Sequence, residues 1–183
     1  MSTGSRAGTA AVWLPGLLFV LVSVGCTHHY VPKQVPIEKE RVGQFPVPEP
    51  VTLTNVQEST EPVLIGAQGI HKFCGDLHAW TETAIGNLRS ELEKRGMPSG
   101  SGDGKQLSLA VRDVDIHWGF ATIRCITDMT FVTGDGYRAH FEGNAASGVT
   151  LYKACRVSVT RALALNDPEI LAYLKGENRR AGR

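Results

Sequence analysis

The chain has 183 residues, 42% of them hydrophobic and 20% charged, with 19 Lys and Arg against 18 Asp and Glu for a net charge of +1. A balance this close to neutral removes the global electrostatic case for nucleic acid or for an acidic substrate. The length suits one globular domain with appended segments, and 20 Gly and 9 Pro point to some of the chain being linker.

The amino-terminal segment carries the first signal. A positive start at Arg6 precedes an apolar run from about Ala10, which closes on the small residues Ser23, Val24 and Gly25. That is the layout of a secretory signal, too short and wrongly flanked for a membrane span. The next residue is Cys26, and Val22-Ser23-Val24-Gly25-Cys26 resembles the lipobox of bacterial lipoproteins, with Ser23 where the family usually carries Leu. The resemblance implies a signal peptide over 1–25 and a Cys26 that is diacylated, becomes mature residue one and is acylated on its new amino end. Thr27 stands where an Asp would resemble the signal for inner-membrane retention, so the resemblance implies an outer-membrane anchor facing the periplasm. The competing readings are an ordinary cleaved signal that leaves Cys26 as a free thiol, and an uncleaved anchor.

Residues 26–60 read as the lipidated Cys followed by a tether. Pro32, Pro36, Pro46, Pro48 and Pro50 interrupt any helical or alternating period, which favours an extended solvated spacer several nanometres long. Phe45 to Pro50 also has the form of a proline-rich docking motif. Val51-Thr-Leu-Thr-Asn-Val56 alternates and suits a short strand at a sheet edge.

The folded domain is expected over 61–176, with 177–183 a polar disordered tail. Val63-Leu-Ile65, followed by Gly66 and Gly69, reads as a first strand running into a loop. Leu77, Trp80, Ala84, Leu88 and Leu92 then fall at three- and four-residue spacings, an amphipathic helix capped by Asp76 and ended at Arg95-Gly96. Beyond the connector Pro98–Gly104, Leu107, Leu109 and Val111 alternate on one parity, and Val114 and Ile116 on the other, so a bulge is expected near Arg112-Asp113. Ala121, Ile123, Cys125, Thr127, Met129 and Phe131 define the core face of a third strand. Thr133-Gly-Asp-Gly136 is a hairpin signal, and Tyr137 to about Asn144 returns beside it. A second helix carries Leu151, Ala154, Cys155, Val159 and Ala162 or Leu163 on one stripe. Asn166-Asp167-Pro168 opens a last short helix that Gly176 ends.

This order gives an α+β fold: a two-layer sandwich with an antiparallel sheet of about four strands and two main helices on one face. A lipobox, a proline-containing spacer, a helix ending near Gly, three strands with a glycine turn and an Ala-rich final helix are similar in layout to YajG-type envelope lipoproteins of Gram-negative bacteria. The likeness covers roughly Pro62 to Leu174 and carries over no catalytic residue.

Candidate chemistry is sparse. The six His (His28, His29, His71, His78, His117 and His140) form no helical i, i+4 pair and no zinc-finger spacing, so no metal and no cofactor is assigned. His71, Cys74 and His78 are the nearest approach to a metal site, if a helix continued back through them. His28-His29 reads as spacer. No Gly-x-Ser-x-Gly elbow occurs, and Cys74 with His71 or His117 shows no sign of activation. The glycine-rich stretch 100–105 leads into a strand and lacks a phosphate-binding context. Asp113 and Asp115 are paired acids on one strand face, read as solvation more than catalysis. Trp80 belongs to the core stripe; Trp118 is open between core and a groove for glycan or peptide.

In an oxidising compartment Cys74, Cys125 and Cys155 remain after Cys26 is lipidated. A bridge between Cys74 and Cys155 is the candidate disulfide, against three unpaired thiols. Two functions stand. One is a lipid-anchored, non-enzymatic binding or scaffolding module, touching the membrane through its lipid and an envelope protein partner, without nucleic acid. The other is a small envelope hydrolase or metal-dependent enzyme.

Overall fold

The computed structural model describes residues 25–33, 49–94, 104–148, 150–163 and 167–177. Its elements are β1 (Thr27–His29), β2 (Val51–Asn55), β3 (Val63–Gln68), β4 (His71–Gly75), α1 (Leu77–Lys94), β5 (Lys105–Trp118), β6 (Ile123–Thr133), β7 (Arg138–Ser147), α2 (Leu151–Ala162) and α3 (Pro168–Lys175). The class is α+β, as the periodicities require.

The sheet is larger than expected and mixed. Its order is β1-β4-β3-β5-β6-β7, with β2 also paired to β5, giving seven strands. Three pairings are parallel: β1 with β4, β2 with β5, and β3 with β5. The expected antiparallel sheet of about four strands corresponds to β3 and β5–β7. β1 escaped because a parallel neighbour is not joined by a tight turn and leaves no local turn signal, whereas β2 is the strand expected over Val51–Val56. β4 is also short and non-alternating, His71-Lys-Phe-Cys-Gly75.

Strand β5 organises this arrangement. One of its edges pairs antiparallel with all of β6; the other is shared by two short strands set end to end. β2 covers Lys105–Leu109, and β3 meets β5 at Ile116 through Gly66. Between them the register of β5 shifts at Val111/Asp113, the bulge that the parity change implied. The main-chain groups of Val111 are met there by side chains: its N–H donates to Thr81 Oγ1 at 2.9 Å, and its carbonyl accepts from Gln57 Nε2 at 2.8 Å.

The core lies between the sheet and the two longer helices. Leu107, Leu109, Val111, Val114 and Ile116 of β5 and Cys125, Met129 and Phe131 of β6 are buried with Trp80, Ala84, Leu88 and Leu92 of α1 and Ala154, Cys155 and Val159 of α2. Asp76 Oδ1 caps α1 by accepting from the N–H of His78 and Ala79. α2 comes very close to β7: a Cβ at Gly143 would lie 1.8 Å from the Ser158 carbonyl oxygen, so only glycine fits. Thr127 and Ser158 hydroxyls join β6 to α2 at 2.8 Å. Asp167 and Pro168 open α3, and Gly176, at φ 73°, closes it.

The segment expected as a free tether begins inside the fold. Thr27–His29 pair with Lys72–Cys74, and Tyr30 N–H donates to the Cys74 carbonyl at 2.9 Å. Trp80 Nε1 donates to the Tyr30 carbonyl at 3.1 Å, the two rings meet edge to face with centroids 6.0 Å apart, and Thr83 Oγ1 donates to the carbonyl of buried Pro32. Val51–Asn55 is likewise sheet, the short edge strand expected there, paired among the described residues on one side only, with β5. The prolines hid this because their own absence of N–H donors says nothing about the residues between them. Residues 34–48 of the expected tether, with the Phe45–Pro50 motif except its last two residues, lie outside the described residues.

Two stability outcomes follow from these contacts. Phe131 is fully buried, so Phe131→Ala should cost about 3–5 kcal/mol in denaturant unfolding. A midpoint unchanged from wild type would put the core on the other face of β6. Thr81→Val keeps the shape of a buried side chain but removes the acceptor for Val111 N–H, and should cost about 1–3 kcal/mol; equal stability would mean that the bulge does not need this bond.

Candidate functional site

Cys26 stands at the margin of the sheet, exposed, with its carbonyl accepting from Lys72 N–H at 2.8 Å. Gly25 before it lies against the Ile70 carbonyl, closer than a Cβ would allow. No slack separates Cys26 from ordered structure, because β1 starts at the next residue. Beside it, His28 Nε2 and His71 Nδ1 are 3.0 Å apart, and the His28 ring stacks on Phe73 with centroids 5.1 Å apart. Phe73 in turn meets Trp118 at 4.8 Å, so the ring that sequence left open between core and groove is half-buried in an aromatic row across β1, β4 and β5.

The expected approach to a metal site does not converge. Cys74 belongs to a strand and α1 starts only at Leu77, so the helical face that would have joined Cys74 to His78 does not form. His78 Nδ1 instead contacts the Gln57 carbonyl at 2.5 Å, with Nε2 4.0 Å from Glu82. His117 pairs with Asp115 at 2.8 Å and His140 with Thr130 at 3.0 Å. Among the described residues, no group of three His, Cys, Asp or Glu could hold a metal ion.

The face of the sheet away from the helices carries a feature that the sequence reading half found. Asp113 and Asp115 share this face of β5, as expected, and Asp113 lies opposite Asp128, which in turn lies opposite Glu142. The carboxylates of Asp113, Asp128 and Glu142, with Ile126, His140 and Phe141, line a depression of about 350 Å³. Only the register of three strands brings them into one row; the spacing of acids along any single strand carries no trace of it. Opposed like charges weaken the pairing they share.

The thiols are arranged differently from the expected bridge. All four cysteines are free. Gly75 turns its Cα hydrogen toward Trp80 and Ile65, within 2.9–3.3 Å of where a Cβ would sit, so strand alternation sends Cys74 to the opposite side of β4, away from α2. Cys155 meets Cys125, both fully buried. Interaction with Cys155, then with Ser158 and Thr127, holds the Cys125 pKa below the usual thiol value against the opposing effect of burial. Cys155 is pushed up by its interaction with Cys125 and by burial. Tyr30 reaches this pocket from the amino-terminal strand: burial, then the nearby Cys155 and Cys125, raise its phenol, whose hydroxyl has no hydrogen-bond partner among the described residues.

No family model matches the chain, and no curated protein matches it either.

This placement makes the thiol chemistry testable. In native protein a water-soluble alkylating reagent should modify Cys74 well before Cys125 or Cys155, which react only when the fold opens. Under oxidation, a non-reducing peptide map should show any bond between Cys125 and Cys155, with Cys74 left single. A Cys74–Cys155 peptide would contradict the side assigned to Cys74.

Proposed function

We propose that the chain is a lipid-anchored lipoprotein of the bacterial envelope, held at the outer membrane through Cys26, facing the periplasm and acting as a non-enzymatic binding or scaffolding module. The observation that carries the reading is the apolar run closing on Ser23-Val24-Gly25-Cys26. Exposure of Cys26 supports it, since an acyl chain on that residue needs no rearrangement of the core. The YajG-like layout belongs to the same proposal, with the mixed sheet and the ordered residues 27–33 as departures from a plain domain on a spacer. A binding role is supported by the broad, shallow face of β5–β7, where Asp113, Asp128 and Glu142 present a row of acids suited to a basic partner surface.

The test is acylation in a bacterial host grown with a fatty-acid probe. Wild-type protein should fractionate with membranes and carry the probe, whereas Cys26→Ser should carry none and appear as an unprocessed or soluble form. Labelling of Cys26→Ser at the wild-type level would sink the assignment.

A further inference from the structure

The geometry points to a bilayer-docking surface at one end of the domain, formed around Cys26 by the β3–β4 turn and the β5–β6 turn. The inference rests on the lipoprotein reading and deepens it: the anchored domain lies directly on the lipid headgroups rather than at the end of a spacer.

The strand directions bring these parts together. β3 runs parallel to β5 with Gly66 opposite Ile116, so the turn after Gln68 and the turn after Trp118 lie at the same end of the sheet. β1 runs parallel to β4 with Thr27 opposite Lys72, which sets Cys26 beside His71 at that end also. Three strand spacings separate Cys26 from the β5–β6 turn, about 15 Å. Each turn holds an apolar side chain out to solvent. Phe120 is fully exposed, the most exposed large hydrophobic residue described, and Ile70 is 54% exposed. Both turns are tightly built: Gly69 takes φ 57°, and Gly119 N–H donates to the Thr122 carbonyl at 2.8 Å. A fixed turn with an apolar tip inserts into an interface without losing conformational freedom.

Charge at this end matches a headgroup layer. The segments that reach it, 25–30, 65–75, 114–127, 143–148 and 150–156, contain Lys72, Arg124, Lys153 and Arg156 against a single acid, Asp115, in a chain whose overall charges nearly cancel. The nearest acid on β5, Asp115, is engaged by His117 at 2.8 Å. Lys72, Arg124 and Lys153 are exposed. Basic side chains around apolar tips are what an anionic lipid surface attracts.

The position of Cys26 selects the bilayer as the occupant. An acyl group on Cys26 is followed at once by a residue hydrogen-bonded into the sheet, and Lys72 N–H holds the Cys26 carbonyl itself. With no residue of slack, the hydrocarbon that Cys26 carries and the tips of Ile70 and Phe120 face the same plane.

The experiment uses full-length chain matured in a bacterial host, purified and reconstituted in phosphatidylethanolamine–phosphatidylglycerol vesicles, with and without bromine on the acyl chains. Phe120→Trp reports the proposed surface and Glu177→Trp, at the far end beyond α3, is the control, each read as the emission added to that of the unsubstituted protein. Brominated lipid should roughly halve the emission added by Phe120→Trp, the depth expected of an interfacial side chain, and leave that of Glu177→Trp unchanged. The mass of the amino-terminal peptide is measured on the same samples. An acylated Cys26 with equal or no quenching at the two positions overturns the docking surface and leaves the lipoprotein reading standing. An unacylated Cys26 overturns that reading, and this inference with it. Shielding of Phe120 in native envelopes but not in vesicles assigns this end to a protein partner and overturns the bilayer as its occupant.

Discussion

A strand that carries two neighbours end to end on one edge must pass through a point that neither neighbour reaches. In this fold that point is Val111, where β2 has ended and β3 has not begun. Buried main-chain groups left without partners cost as much as a lost hydrogen bond, so the sheet depends on Thr81 and Gln57 supplying the missing donor and acceptor. Thr81 belongs to α1 and Gln57 to the chain just beyond β2. The Thr81 bond therefore also ties α1 to the sheet at this point, and the bulge reverses which parity of β5 faces the core. Val114 and Ile116 reach the interior only because of that reversal.

The second consequence concerns the amino-terminal strand. Three residues of β1 would not hold by their own pairing, but Tyr30 and Pro32 extend their attachment onto α1 through Trp80 and Thr83. Tyr30 also reaches the thiol pocket shared by β6 and α2, so the segment nearest Cys26 contacts the centre of the domain. On the proposed lipoprotein reading, an anchor at Cys26 would pass its orientation to the whole body instead of to a loose leash. Charge is distributed accordingly: acids meet in a row on the open face of β5–β7, while the end bearing Cys26 holds basic residues and the single acid Asp115. A net charge of +1 conceals this separation, because the sum over a chain carries no information about where the strands take each sign.

The sequence by itself determined the elements whose cause is local. The 3.6-residue stripes of α1 and α2, the caps Asp76 and Asp167, the hairpin at Gly136, the core face through Met129 and Phe131 and the bulge before Asp113 were all legible, since each follows from periodicity or from a backbone preference of the residues concerned. The pattern closing on Cys26, which carries the proposed function, is likewise a run of consecutive residues. Tertiary structure alone decided the parallel pairings of β1, β2 and β3, the side of β4 on which Cys74 falls, the meeting of Cys125 with Cys155, and the alignment of Asp113 with Asp128 and Glu142. In the parallel pairings and the thiol contact the partners are far apart in sequence and no turn residue connects them, whereas the row of acids depends on the register of two hairpins. Their contact depends on strand register and direction, and the energies that select it arise only when the whole sheet and both helices are packed at once.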